Sequence, residues 1–467
     1  MEEELYSGVD LVAIPFYAAL IFFLGRRVQQ QRIQENPLYK YYTRGLIAKI
    51  VSGLLVCLVY IFYYKGGDTI GYYQSARLVS RMIFINPGVY FSVMGGTLTH
   101  ENLSVFYFND LCCPDYWKDP QSFTVVRFAS PLLFLSGFNF FVTTFLFAWL
   151  SYGGIFRLFL LFNELFPGME KKFATAVLFM PSVLFWGSAI LKDTLTFSAA
   201  CWMTWSIYKV FIKPERRGFH FMTLVIAAYI IISIKPYIFV AMLPGATIWI
   251  IFQRITRIGS TFVRVLISPA IIVVGVLAST FLISSFSTSL GDYGSVDKAV
   301  NKAVVTKNDL TRDAYGENSF DIGELDGSVG SLLSKFPVAI VAGLFRPFLW
   351  DVSNPVMLIS ALENTFIILL TLRVLLLLGP GFFIRISANP VLIFCFVFSI
   401  FFAFALGITT ANFGALVRYK IPSVPFFLSM LYILEFQAKQ ARLTSRQLRE
   451  MEEEKENKSL ENEVVTS

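Results

Sequence analysis

The chain has 467 residues, of which 55% are hydrophobic and only 15% charged, with 49 Phe and a formal net charge of +7. A soluble domain carries about a quarter charged residues, so this composition excludes an ordinary soluble enzyme. Basic loops lying beside anionic lipid account for the positive charge, so no nucleic-acid partner is expected.

In chain order the apolar runs are 9–24, 46–64, 138–162, 173–189, 194–212, 219–234, 237–252, 262–286, 356–378, 391–408 and 421–436. A span needs about 20 mostly apolar residues, because the hydrocarbon core is about 30 Å thick. Lipid offers no partner to backbone N–H and C=O groups, so such runs must be helical. The expected fold is an all-α, polytopic transmembrane bundle of about eleven spans, within a range of about ten to thirteen. Shorter apolar stretches at 123–136 and 337–350 are read as re-entrant, interfacial or additional spans. Residues 1–437 form the bundle, and 438–467 form a charged tail that starts as a surface helix and then frays.

Lys and Arg set the orientation. Arg26, Arg27, Arg32, Lys40 and Arg44 follow the first run. Lys171, Lys172, Lys213, Arg216, Arg217, Arg254, Arg257 and Arg264 fall on the same side if the spans alternate. That side is assigned to the cytoplasm, with the N-terminus outside and the C-terminus inside. Two long segments, 65–137 and 287–355, then lie outside. The first is aromatic, with Tyr72, Tyr73, Tyr107, Tyr116 and Trp117 among its rings. It reads equally as a surface that stacks on sugar rings and as an interfacial belt. The acidic stretch 309–326 of the second is expected to be loosely ordered.

Cys57, Cys201 and Cys395 lie within spans, and Cys112 and Cys113 are adjacent, so no disulfide framework is expected. With only His100 and His220, a His-rich metal site is excluded. No nucleotide-binding motif occurs, and no cofactor is expected; the need for a divalent metal is left open.

Charged residues gather at the outer mouths of the spans. Asp68 follows Gly66 and Gly67; Lys192 and Asp193 share a short connection; Lys235 precedes Pro236; Arg346 precedes Pro347. Glu363 lies inside a span, where a carboxylate is costly, and Arg418 and Lys420 precede the last span. Cations on the outer face run against the positive-inside bias. Guanidinium groups fork onto phosphate oxygens, lysine adds a point charge, and a carboxylate can take a proton from a sugar hydroxyl. The chemistry fits a lipid-borne diphosphate sugar. Arg346 and Arg418 are the expected diphosphate ligands, with Lys192, Asp193, Lys235, Lys420, Tyr72 and Tyr73 in substrate binding. Asp68 is the first candidate acid–base carboxylate and Glu363 the second.

Gly66-Gly67-Asp68-Thr69 with Tyr72 and Tyr73 resembles the Gly-x-Asp-Thr-x-x-Tyr signature of EpsG-like and Wzy-like polysaccharide polymerases. The stretch from Pro181 to Ser188 with Lys192-Asp193, the pair Arg346-Pro347 with Glu363, and Arg418-Tyr419-Lys420 followed by Pro425 are similar to patterns of polytopic C-class glycosyltransferases. The likeness runs in short patches from Asp68 to Pro425. It implies a polymerase in a bacterial-type cytoplasmic membrane, with a polyprenyl-linked oligosaccharide donor and acceptor. Dolichol-type members carry an acid pair after the first span; here a single acid follows the second. Two other readings stay open: a flippase or transporter for lipid-linked sugars, and a structural subunit of a cell-envelope assembly. The topology is tested by a reporter fused after Ser467, which is expected to be active in a reducing compartment; activity only in an oxidising one reverses every assignment of side.

Overall fold

The structure, a computed structural model, describes residues 5–109, 111, 113–255, 261–285, 290–310, 320, 323 and 328–466. The described residues are helical almost throughout, with no β-strand among them. In chain order the helices are α1 (Asp10–Arg32), α2 (Tyr42–Leu58), α3 (Asp68–Ile85), α4 (Pro87–Met94), α5 (His100–Phe108), α6 (Pro120–Ser136) and α7 (Phe140–Leu165). Next come α8 (Glu170–Phe173), α9 (Pro181–Trp186), α10 (Lys192–Ile207), α11 (Arg217–Ile234), α12 (Pro236–Ile255), α13 (Thr261–Ser285) and α14 (Val296–Leu310). The chain closes with α15 (Val329–Ser334), α16 (Phe336–Phe345), α17 (Pro355–Leu378), α18 (Gly381–Ser387), α19 (Pro390–Thr409), α20 (Phe413–Tyr419) and α21 (Val424–Thr466).

Local sequence sets many of the starts. Asn86-Pro87, Asp119-Pro120, Asn354-Pro355 and Asn389-Pro390 each open a helix. The Asn or Asp oxygen accepts an orphan backbone N–H of the first turn, and proline sits where no N–H is needed.

Seven helices among the described residues are long and apolar enough to cross a membrane: Asp10–Arg32, Pro37–Tyr63, Phe140–Leu165, Arg217–Ile234, Pro236–Gln253, Pro355–Leu378 and Pro390–Thr409. An eighth is reached if Phe413–Tyr419 and Val424–Thr444, bent by 66°, make one broken span. Eleven runs were expected, and the others take different forms. Run 173–189 becomes α8, a π-turn over Ala174–Leu178 and the six-residue α9, broken before Pro181. Run 194–212 becomes α10, buried along nearly its whole length between α7 and α11. Run 262–286 is α13.

Segment 65–137 is no loop: α3 to α6 fill it, with α3 packed on α6. Ser80 and Ser130 hydroxyls meet at 2.7 Å across that contact. The acidic stretch 309–326 lies almost wholly outside the described residues. The tail also departs from expectation, since α21 runs unbroken from the bundle to Thr466. The costly helical nucleus is supplied by the segment already anchored in the bundle, and the tail extends it one residue at a time.

The core is a mosaic of aromatic rings and close helix crossings. Where α16 meets α19, Gly343 lies against the Ala403 backbone and Gly407 against that of Ala339. Small residues four apart on each helix let the two backbones touch, which is how helices associate tightly in lipid. Replacing Gly407 by Leu forces a side chain into the Ala339 carbonyl and is expected to cost about 1–3 kcal/mol. A lower thermal midpoint of the purified protein checks this, with Gly218→Ala, where a methyl group meets nothing, as the unchanged control.

Candidate functional site

The site begins where α2 unwinds. Lys65, Gly66 and Gly67 all have positive φ, of 52°, 153° and 108°. Glycine tolerates that backbone, and a Cβ on Gly67 would stand 3.0 Å from the Tyr60 ring. The turn places Asp68 as the first residue of α3. Arg418, near the end of α20, reaches Asp68 Oδ2 with Nη2 at 2.6 Å and Asp193 Oδ2 with Nε at 2.7 Å. Lys235, in the turn between α11 and α12, reaches the other Asp193 oxygen at 2.5 Å. Its ammonium lies 4.0 Å from the centre of the Tyr419 ring. The Tyr116 hydroxyl donates to Asp68 Oδ1 at 3.3 Å. Burial, then the Asp68 charge, pushes Tyr116 well up, so it remains a donor.

Asp193 has no exposed side-chain surface, and Asp68 is 36% exposed. A lone buried carboxylate is costly by several kcal/mol. Two cations facing two carboxylates make the cluster neutral, and the partly open Asp68 is its contact with solvent.

A second layer lies beside it. The Glu363 carboxylate accepts the Ser182 amide at 2.8 Å and the Ser182 hydroxyl at 2.5 Å. Lys420 donates to the Asn364 side chain and to the Arg346 carbonyl, and Asn364 donates to the Pro347 carbonyl at 2.9 Å. These bonds tie the backbone at Arg346 to α17 and α20. The Arg346 guanidinium itself is 29% exposed, and Asp351 stands 4.0 Å away. It covers the rings of Phe320, Phe348 and Phe413, the nearest at 4.9 Å. Lys192 pairs with Asp119 at 3.3 Å. Burial alone would raise Asp119; the Lys192 ammonium and the Ser122 hydroxyl and amide outweigh it and hold the carboxyl below its usual range.

A cavity of about 370 Å³ opens beside these groups. Tyr64, Trp186, Asn354, Ser360, Asn412 and Phe413 are among its walls. Val417, next to Arg418, and Tyr64, at the start of the glycine turn, place it against the charge cluster. Among the described residues, no three His, Cys, Asp or Glu side chains are arranged to hold a metal ion.

The sequence-predicted residues separate into groups. Asp68, Asp193, Lys235 and Arg418 are in direct contact. Arg346 and Glu363 stand in the adjoining layer. Lys420 is buried and spent on a carbonyl and an amide, so it braces Arg346 from behind. Tyr72 and Tyr73 are 1% and 2% exposed. Tyr72 packs on Tyr116 at 4.6 Å between ring centres, and the Tyr73 hydroxyl donates to the Phe138 carbonyl at 2.6 Å. Their place is in the core, behind the charged face. Sequence reasoning missed Asp119, Tyr116 as a partner of Asp68, and Lys49. Lys49 is 2% exposed in the second span and donates to the Gly187 carbonyl, at the start of the unwound residues 187–191. An ionisable residue inside a span was the available signal.

The fold and these buried polar groups define the class: a multi-pass helical membrane protein. No protein-family model matches the chain, and neither a curated protein nor a solved structure does.

The hub has a measurable consequence. Asp193→Asn leaves Arg418 and Lys235 without their shared countercharge. Removing one partner of a buried pair costs about 3–5 kcal/mol, so the thermal midpoint is expected to fall sharply. Adding Lys235→Met to that variant removes one orphaned charge and is expected to restore part of the loss.

Proposed function

We propose that this protein is a membrane-embedded glycosyltransferase of the polysaccharide-polymerase type, joining lipid-diphosphate-linked sugar units at the outer face of a bacterial-type cytoplasmic membrane. One observation carries the reading: the cavity wall includes Val417, the chain neighbour of the Arg418 that holds the partly exposed Asp68, and Phe413, whose ring lies under the partly exposed Arg346. Trp186 and Tyr64 offer faces for a sugar ring, and Asn354, Ser360 and Asn412 offer groups for its hydroxyls.

The reaction uses these groups in one sense. An acceptor hydroxyl oxygen attacks the anomeric carbon of the donor, and Asp68 takes its proton. A new glycosidic C–O bond forms as the anomeric C–O bond to the diphosphate breaks. The lipid diphosphate leaves with the bonding electron pair, and Arg346 offsets its developing charge where water is scarce. Arg418 orients Asp68 and stays paired to Asp193 throughout. Glu363, enclosed by Ser182 and remote from solvent, shapes the cavity wall through α9 rather than moving the proton. A flippase would need a polar path through the depth of both halves; here the cavity and the Asp68–Arg418–Asp193 cluster lie together at one end, which favours transfer over transport.

The test is purified protein supplied with a polyprenyl-diphosphate oligosaccharide, with longer lipid-linked chains as the expected product. Asp68→Asn is expected to lower the rate by ~10²–10⁴-fold. Arg346→Lys is expected to weaken the reaction as well, because the planar fork is lost. Thermal midpoints of both variants are measured alongside, to separate chemistry from folding. Full polymer output from both variants, or movement of the lipid across vesicles without elongation, overturns the proposal.

A further inference from the structure

A second pocket, of about 390 Å³, lies at the opposite end of the bundle. Arg385, Arg442 and Arg446 line it together with Leu377, Leu378 and Ala438. It sits where the apolar α17 stops, at Leu378. The short α18 turns inward with buried Phe382 and Ile386 and outward with Phe383 and Ile384, which are 62% and 53% exposed. Leu376, just above on α17, is 85% exposed. Apolar side chains this open at the end of a span are covered by acyl chains, so the pocket lies at headgroup depth.

The charges there are not used up by the protein. Glu435 already holds Lys172, Arg373 and Lys439 at 2.6, 3.1 and 2.9 Å. Arg446 pairs with Glu450 at 2.8 Å. Arg385 and Arg442 have no ion pair among the described residues. Two uncommitted guanidinium groups over an apolar floor match a phosphate joined to hydrocarbon. Arginine forks onto phosphate oxygens in two parallel hydrogen bonds.

We propose that this pocket binds the phosphate headgroup of an anionic glycerophospholipid, with the acyl chains lying along the exposed leucines of α17. The site is independent of the transferase reading, since none of its residues touches the charge cluster or the first cavity. Bound lipid would join α17, α18 and α21 at the level of their common exit from the membrane.

The experiment is native mass spectrometry of the full chain in detergent, titrated with phosphatidylglycerol or phosphatidylcholine. Retention of phosphatidylglycerol over phosphatidylcholine is expected on the order of tenfold, from one or two arginines near an anionic headgroup. The double variant Arg385→Gln with Arg442→Gln is expected to lose about that preference. The corresponding Lys pair keeps most of it. Arg216→Gln with Arg217→Gln, a basic pair elsewhere on the chain, leaves it unchanged. Should the double variant not fold, Arg442→Gln alone, at an exposed position, serves for the same comparison. Equal retention of the two lipids, an unaltered Arg385/Arg442 variant, or an equal loss in the Arg216/Arg217 control overturns the proposal. Displacement of phosphatidylglycerol by millimolar inorganic phosphate overturns it too, and assigns the pocket to a free anion.

Discussion

The Arg418 guanidinium bridges two carboxylates, and the arrangement of the charged end of the bundle follows from that bridge. Asp193 is fully enclosed, so it needs cations on both oxygens; Arg418 takes one and Lys235 the other. Arg418 then has a second edge to satisfy, and Asp68 receives it. Four segments remote in sequence must therefore meet within hydrogen-bond distance: the glycine turn before α3, the start of α10, the turn between α11 and α12, and the end of α20. An interior of low dielectric makes this pairing strong when complete and costly when any member is missing.

That requirement shapes the backbone around it. The chain leading to Asp193 is not a plain span but α8, a π-turn, α9 and the unwound residues 187–191. Irregular backbone within a membrane bundle must be enclosed by protein that supplies hydrogen bonds. Here Lys49 supplies one to the Gly187 carbonyl, and Gly53 allows close approach of the Ser188 backbone. Ser182, at the start of α9, gives both its amide and its hydroxyl to Glu363 on α17. The costly groups inside the bundle, Lys49 on α2 and Glu363 on α17, thus serve the same broken segment. The broken segment in turn delivers Trp186 to the cavity and Asp193 to the ion cluster.

The two ends of the bundle manage charge differently. At the Asp68 end, acids and bases are interleaved and neutral as a group. At the other end, Glu164 and Glu435 are each surrounded by several cations. Excess positive charge at one end suits anionic lipid headgroups beside it.

The helical membrane class and most of the long apolar spans were legible in the sequence, because lipid leaves the backbone one solution and hydropathy reports it directly. So was the set of charged residues at one end: span alternation brings Asp68, Asp193, Lys235 and Arg418 to a common side without any knowledge of packing. Hydropathy could not tell a lipid-facing helix from one enclosed by others, so α10 and the broken 173–189 counted as ordinary spans. Composition could not show that Tyr72, Tyr73 and Lys420 are buried, since burial is decided by neighbours from elsewhere in the chain. Tyr72 is covered by Tyr116, and Lys420 is turned toward Asn364. Sequence by itself therefore determined which residues are expensive in a membrane and at which end they lie. Only the tertiary structure decided which of them neutralise one another and which, like Arg346 and the open edge of Asp68, remain beside a cavity. Pairing depends on angstrom-scale approach between distant segments, and no local pattern encodes that.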